Sequence, residues 1–266
     1  GRALTPAAKA RFQDTLINRF RIPVHLQADE PRLRHVLRRA LQRLKSRHGH
    51  DSVGDYLEFG VYQGNSLIQA HHAITEEGLD HVRLFGFDSF AGLPETAAAE
   101  GVWSNGQYRI DVDFTRQRLA EHGVEAGRTV LVPGFFAETL TEQWRRKHAV
   151  EQAGVIMIDC DLYSSAKEAL DFCAPIIGRE AVVLFDDWHA TGEKEGEQRA
   201  LAEFLDENPH FEAEAFESYS DHSKGFILRR VGAWLPGLAA SLEEYTLALD
   251  WIALGQWATS VSTLAC

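Results

Sequence analysis

The chain has 266 residues, of which 45% are hydrophobic and 25% charged, and its formal net charge is -12. That length suits one large α/β domain with appendages, and the balance is that of an ordinary globular protein. The negative sign disfavours nucleic acid as the main partner, because a phosphate backbone needs a positive footprint. No run approaches the ~20 apolar residues needed to span a bilayer, so no membrane role is expected. Three unclustered cysteines, Cys160, Cys173 and Cys266, give neither a disulfide framework nor a zinc knuckle. The first residues lack the apolar core of a signal peptide, and the expected location is cytoplasmic.

In chain order, residues 5–20 and 29–48 predict two helices ahead of the main domain. Thr5 followed by Pro6, and Asp29 followed by Pro31, are start signals. In the second helix Leu33, Val36, Leu37, Ala40, Leu41 and Leu44 recur at helical spacing. Its basic residues lie between Arg32 and Arg47, so the pattern predicts a helix packed on the domain or on a second subunit, with a solvated basic face. Strands are then predicted at 53–59, 81–87, 129–133, 155–160 and 181–186. Helices are predicted at 65–77, 114–122, 137–148, 164–177 and 196–207. Repeated βα units imply a parallel, Rossmann-like sheet with helices on both faces. Phe211 to Phe216 alternates in polarity, and Gly225 to Arg229 follows a polar turn, which predicts a closing antiparallel hairpin.

The connection 90–113 is long for a compact domain and carries Trp103, Asn105, Gly106 and Tyr108, so a functional loop is expected there. The tail 233–258 is apolar and carries Trp234, Trp251 and Trp257, with a helix expected from about Ala240 to Trp257. The expected division is an N-terminal helical segment at 1–50, a main domain at 51–231 and a C-terminal helical extension at 232–266. The basic helix and the tail offer a surface for a homo-oligomer.

Chemistry concentrates at strand ends, where open α/β sheets place their ligand crevice. The first strand runs into Glu58-Phe59-Gly60-Val61-Tyr62-Gln63-Gly64-Asn65-Ser66. The Gly-x-x-x-Gly spacing is not the dinucleotide fingerprint, and Glu58 repels phosphate while welcoming an ammonium or sulfonium group. S-adenosylmethionine carries both cations and suits this turn better than NAD. The second strand ends at Asp88, placed to accept hydrogen bonds from ribose hydroxyls or to cap a helix. Two further apolar strands end in Asp159-Cys160-Asp161 and in Asp186-Asp187. Carboxylates that close repel unless protonated or held by a cation. Asp159, Asp186 and Asp187 are therefore candidate oxygen ligands for Mg²⁺, and Asp159 is also a candidate base. Asp161 and Asp187 have an alternative reading as helix caps, favoured for Asp161.

The chain resembles macrocin O-methyltransferase and its relatives. The resemblance runs through Glu58 to Ser66, Gly86-Phe87-Asp88-Ser89-Phe90-Ala91-Gly92-Leu93-Pro94-Glu95, Pro133-Gly134-Phe135-Phe136-Ala137-Glu138-Thr139-Leu140, Asp159 to Ser165 and Asp186-Asp187, covering about residues 53 to 230. It implies a class I S-adenosylmethionine-dependent O-methyltransferase fold, with Mg²⁺ as cofactor and the hydroxyl of a small, including glycosylated, metabolite as acceptor. It carries metal ligation onto Asp159, Asp186 and Asp187, with Asp159 as base, and ribose binding onto Asp88. It puts methionine-side contacts on Glu58, Gly60, Tyr62 and Ser66, with Asn65 and Ser89 from the same motifs completing the set. It places Gly134, Phe135 and Phe136 beside adenine. The segment after Asp187, Trp188 to Glu197, is more charged than in those relatives, and the tail is longer. His189 and His222 are alternative bases for a metal-independent enzyme of the same fold. A non-catalytic nucleotide-binding module is the other reading, opposed by the negative charge at the strand ends.

Overall fold

The computed structural model describes residues 30–100, 103–190, 192 and 195–232. The predicted helix at 5–20 and the tail helix lie outside the described residues. Seven strands form one sheet: β1 Asp55–Phe59, β2 Leu84–Asp88, β3 Thr129–Pro133, β4 Ala153–Ile158, β5 Ile177–Phe185, β6 Phe211–Phe216 and β7 Lys224–Arg230. Their order is β3-β2-β1-β4-β5-β7-β6. The first five are parallel, and β7 pairs antiparallel with both β5 and β6. β1 and β4 are buried at every position, as expected of strands covered on both faces.

The helices are α1 Glu30–His48, α2 Asn65–Glu76, α3 Val112–Glu121, α4 Phe136–Thr139, α5 Glu142–Lys147, α6 Tyr163–Cys173 and α7 Gly196–Glu207. Side chains alternate across each strand, so the sheet feeds two cores. On one face Tyr56, Val155, Met157, Val182 and Leu184 pack with the apolar stripes of α1, α2 and α3. On the other, Leu57, Phe59, Phe87, Ile158 and Phe185 pack with α6 and α7. The stripe from Leu33 to Leu44 is fully buried, and α1 is thereby part of the domain core. Its basic face is solvated, as expected, and is also paired: Arg39 is 56% and Arg47 51% exposed. Arg38 and Lys45 reach Glu77, Arg39 reaches Glu217, and Arg43 reaches Glu180 at 2.8 Å.

The predicted helix at 137–148 is two helices. Leu140 has ψ 67, outside the helical range, and Thr141 caps α5 by accepting from the Trp144 N–H. A hydroxyl able to satisfy a free N–H competes with helix continuation, and here it wins. The helix expected at 164–177 ends at Cys173 and passes into a tight 3-10 turn at Ala174–Ile176, since Pro175 cannot continue the ladder.

Candidate active site

Strand register builds the site. Phe59 pairs with Phe87 and with Ile158, and Ile158 pairs with Phe185. The next residue along each strand is Gly60, Asp88, Asp159 and Asp186. These four therefore stand side by side at the carboxyl edge of the sheet. Gly60 N donates to Phe87 O, Asp159 N to Phe59 O and Asp186 N to Ile158 O, all at 2.9–3.0 Å. The backbones run so close that a Cβ on Gly60 would lie 1.7 Å from the Asp159 carbonyl oxygen. Only glycine fits there.

Above this edge lies a cavity of about 720 Å³, in the upper part of the usual range of roughly 300–1,000 Å³ for ligand sites. Of the predicted residues, Gly60, Tyr62, Asn65, Ser66, Asp88, Ser89, Phe135, Phe136, Asp159, Asp186 and Asp187 line it. Glu58 and Gly134 do not. Glu58 is wholly buried and accepts from Tyr56 Oη at 2.5 Å and Ser66 Oγ at 2.8 Å. Burial pushes its carboxyl up to about 8. It meets the cavity through Ser66 rather than directly. Gly134, at φ +140, donates its N–H to the Asp88 carbonyl and seats the loop bearing Phe135, which is 39% exposed.

One carboxylate oxygen from each of Asp159, Asp186 and Asp187 lies within 4.8 Å of the other two. Burial, then mutual repulsion, raises the Asp159 carboxyl well above its usual range. Burial and the Asp186 charge push Asp187 to about 6. Among the described residues no lysine or arginine lines the cavity to offset them. Hard oxygen donors held together without compensation fit a hard divalent ion.

Asp161 caps no helix. Leu162 is the N-cap of α6, and the Ser164 N–H is taken by Glu100 Oε2 at 3.0 Å. Asp161 sits at φ +64, which turns its carboxyl to the cavity, where it hydrogen-bonds Asp187. Asp187 itself lies in a turn, its carbonyl accepting from Ala190 N. Asp88 also caps no helix. It accepts from Val61 N and Tyr62 N through Oδ2, at 2.9 and 2.8 Å, and from Phe90 N through Oδ1 at 2.6 Å. It thus pins the Gly60–Gly64 turn, with lone pairs left for a further donor. Tyr62, Phe90, Tyr108 and Asp161 all carry left-handed φ around this one site. Such strain is held only where surrounding structure imposes it, and it clusters at ligand sites.

Two groups escaped the sequence reading. Tyr219, 1% exposed, donates to Asp186 Oδ1 at 2.5 Å. Its only signal is an aromatic inside the polar turn Ser218-Tyr219-Ser220. Glu197, 1% exposed, buries both carboxylate oxygens, with the Asp187 backbone as the hydrogen-bonding group beside them. Burial and then the charges of Asp187, Asp186 and Asp161 raise its carboxyl strongly. Its signal was periodicity, since it precedes Ala200, Leu201 and Phe204 on the buried stripe of α7. His222 lines the cavity, whereas His189 does not; its N–H donates to the His222 carbonyl at 3.0 Å.

A parallel sheet of this order, closed by a hairpin and with its acids at the carboxyl edge, defines a class I methyltransferase fold. The solved O-methyltransferase NovP superposes with TM-score 0.60 at 18% identity, over 76% of this chain and 80% of that one. The calicheamicin methyltransferase CalS11 superposes with TM-score 0.58 at 18% identity, over 87% and 95%. Residues 27–210 match the model of the macrocin-O-methyltransferase (TylF) family, and the chain belongs to that family. A curated relative from Streptomyces olivaceus, 8-demethyl-8-(2,3-dimethoxy-alpha-L-rhamnosyl)-tetracenomycin-C 4'-O-methyltransferase, is 27% identical over 143 residues. The match takes in 51% of this chain, which spans about half of that relative's length, 53%. Among the described residues no helix is long and apolar enough to cross a membrane.

Proposed function

We propose that the protein is an S-adenosylmethionine-dependent O-methyltransferase that methylates a hydroxyl, in particular a sugar hydroxyl, of a small metabolite, with Mg²⁺ as cofactor. The observation that carries this reading is the convergence of Asp159, Asp186 and Asp187 oxygens within 4.8 Å beside the Gly60 turn. The family match and the tetracenomycin-sugar relative support the acceptor class.

Bound Mg²⁺ would lower the pKa of the acceptor hydroxyl and fix its direction, and S-adenosylmethionine would supply the methyl group. Asp159, Asp186 and Asp187 are the residues that would hold the metal. Asp159, in the middle of the row, takes the hydroxyl proton. Asp88 and the Gly60–Gly64 turn seat the ribose, and Tyr62, Asn65, Ser66 and Ser89 line the donor side. Ser66 passes the influence of Glu58 to the methionine end. Gly134, Phe135 and Phe136 form the adenine-side loop. Tyr108, edge-on to Tyr62 at 5.7 Å, helps the loop around Trp103 to Tyr108 exclude water. Methyl transfer needs in-line geometry more than proton chemistry, so positioning is the main task.

The test is direct. S-adenosylhomocysteine is expected to raise the melting temperature while ATP does not, and EDTA is expected to abolish turnover. Full activity in EDTA would move the base role to His222, the histidine on the cavity wall.

A further inference from the structure

The opposite edge of the sheet gathers ligand-type side chains that methyl transfer does not use. His50 and Asp51 stand in the short turn His50–Ser52 that leads into β1, and His81 lies in the turn that leads into β2. Tyr56 pairs with Leu84, so His81 stands level with Val53 at the amino edge, away from Asp159 and Asp186. One ligand atom from each of His50, Asp51 and His81 lies within 4.8 Å of the other two. The two imidazole centroids are 5.1 Å apart. The neighbours fix the tautomers. His50 Nε2 is 2.8 Å from the Gly78 carbonyl oxygen, and His81 Nε2 is 3.2 Å from that of Val53. A carbonyl oxygen only accepts, so both Nε2 atoms carry a hydrogen, and in each neutral ring Nδ1 keeps the lone pair. His50 Nδ1 then faces Asp51 Oδ1 at 2.7 Å, two acceptors with no hydrogen between them. Such a pair needs a cation, either the proton of an imidazolium or a metal ion. A shared proton needs only two partners, whereas a metal ion needs the third that His81 brings. An imidazole whose other nitrogen is anchored on a backbone carbonyl is also the common form of a metal-ligating histidine.

We propose that His50, Asp51 and His81 form a second metal site, for a borderline divalent ion of the Zn²⁺ class. Two imidazoles and one carboxylate, with water in the fourth place, make a tetrahedral set for such an ion, whereas Mg²⁺ takes oxygen. The two edges of the sheet are thus chemically distinct, hard oxygen donors at one and imidazoles at the other. Bonds of about 2.0–2.1 Å to a tetrahedral ion set neighbouring donors roughly 3.3 Å apart. The 2.7 Å contact must open by about half an ångström, which Asp51, 97% exposed, is free to allow. The bound ion ties the turn before β1 to the turn before β2, and through His50 to Gly78 just past the end of α2. Nothing in the methyltransferase reading depends on it.

The test is calorimetry with Zn²⁺ titrated into tag-free, full-length protein in saturating Mg²⁺, which occupies the carboxyl edge. The wild type is expected to bind Zn²⁺ and to melt at a higher temperature with it. His81→Ala is expected to weaken that binding roughly 10-fold or more, since a ligand is worth at least as much as the groups that orient it. The rise in melting temperature should go with it. Asp51→Ala, at an almost fully exposed position that the fold does not need, should act in the same way. Asp186→Ala, at the other edge, should keep the Zn²⁺ affinity of the wild type. A wild type that takes up no Zn²⁺ overturns the proposal, as does Zn²⁺ binding that survives unweakened in either amino-edge variant.

Discussion

Strand β5 holds a buried acid, Glu180, in its first half and runs into a half-buried one, Asp186, just past its end, and the two are built on opposite terms. Glu180, 3% exposed, faces Arg43 at 2.8 Å, Arg47 and Arg229 at 3.6 Å and His48 at 3.9 Å. Six residues on, Asp186 meets Asp159 and Asp187, with only the Tyr219 hydroxyl as neutral partner. Burial costs an isolated charge heavily in either place. At the lower end the cost is met by guanidinium groups, and the reward is docking of α1. At the upper end it is left unmet, and the carboxyls rise instead. Uncompensated acids on a rigid strand edge store affinity for a cation, whereas compensated acids only join elements.

The largest break in this contrast is Asp186→Ala. It removes one of three converging oxygens, and turnover is expected to fall roughly 1,000-fold or more. S-adenosylhomocysteine affinity, measured by calorimetry, should stay within a few-fold. Joint loss of both would mean the acids serve the donor pocket, not a metal.

The second effect is on stability against pH in metal-free protein. In the unfolded chain Glu58 releases its proton near 4.5, and in the native fold it holds it to about 8. Between those values the native state binds more protons, so stability falls as pH rises. Asp187, at about 6, acts in the same direction. The loss from Glu58 is expected to reach on the order of 3–4 kcal/mol between pH 5 and 8. Glu58→Gln keeps the shape and cannot ionise. Its urea midpoints in EDTA should therefore decline less steeply with pH than those of the wild type. Parallel curves would show that Glu58 is ionised throughout.

The lower end gives the third test. Glu180→Ala leaves the Arg43 head group, 23% exposed, without its carboxylate, while Arg47, at 51%, keeps its water. About 2 kcal/mol is expected, below the range for fully buried pairs. The urea midpoint checks it, and turnover per folded molecule should not change. An unaltered midpoint would mean that the α1 apolar stripe alone fixes the helix.

The same contrast explains what could be read in the sequence. The sheet was legible because strands buried on both faces are continuous apolar runs, and the acids ending them mark the carboxyl edge. The closing hairpin was legible from the alternation of 211–216 and the polar turn before 225–229. What could not be read were partners distant along the chain. Nothing near Arg43 announces Glu180, 137 residues away, so the ion pairs of the solvated face could not be read. Asp161 looked like a helix cap because a φ of +64 on a non-glycine residue has no sequence mark. Glu58 was expected at the ligand because strand alternation does not say how deep a side chain lies. The break at Leu140–Thr141 turned on one hydroxyl bond.

The smallest effect sharpens the comparison most. Tyr219→Phe removes only the hydrogen bond to Asp186 Oδ1, in a site 1% exposed where the ring itself still packs. Deleting the hydroxyl leaves one acceptor lone pair unsatisfied, worth about 1 kcal/mol in stability. If the Asp186 carboxylate is a metal ligand, the tyrosine fixes its direction. Groups that orient ligands in this way typically contribute roughly 10- to 100-fold in metal affinity. The Mg²⁺ concentration that gives half-maximal turnover should therefore rise by about that factor, with turnover at saturating Mg²⁺ largely restored. A purely structural tyrosine would lower the melting temperature and leave the Mg²⁺ dependence where it was. The two outcomes separate an acid held ready for a cation from an acid merely tolerated in the core.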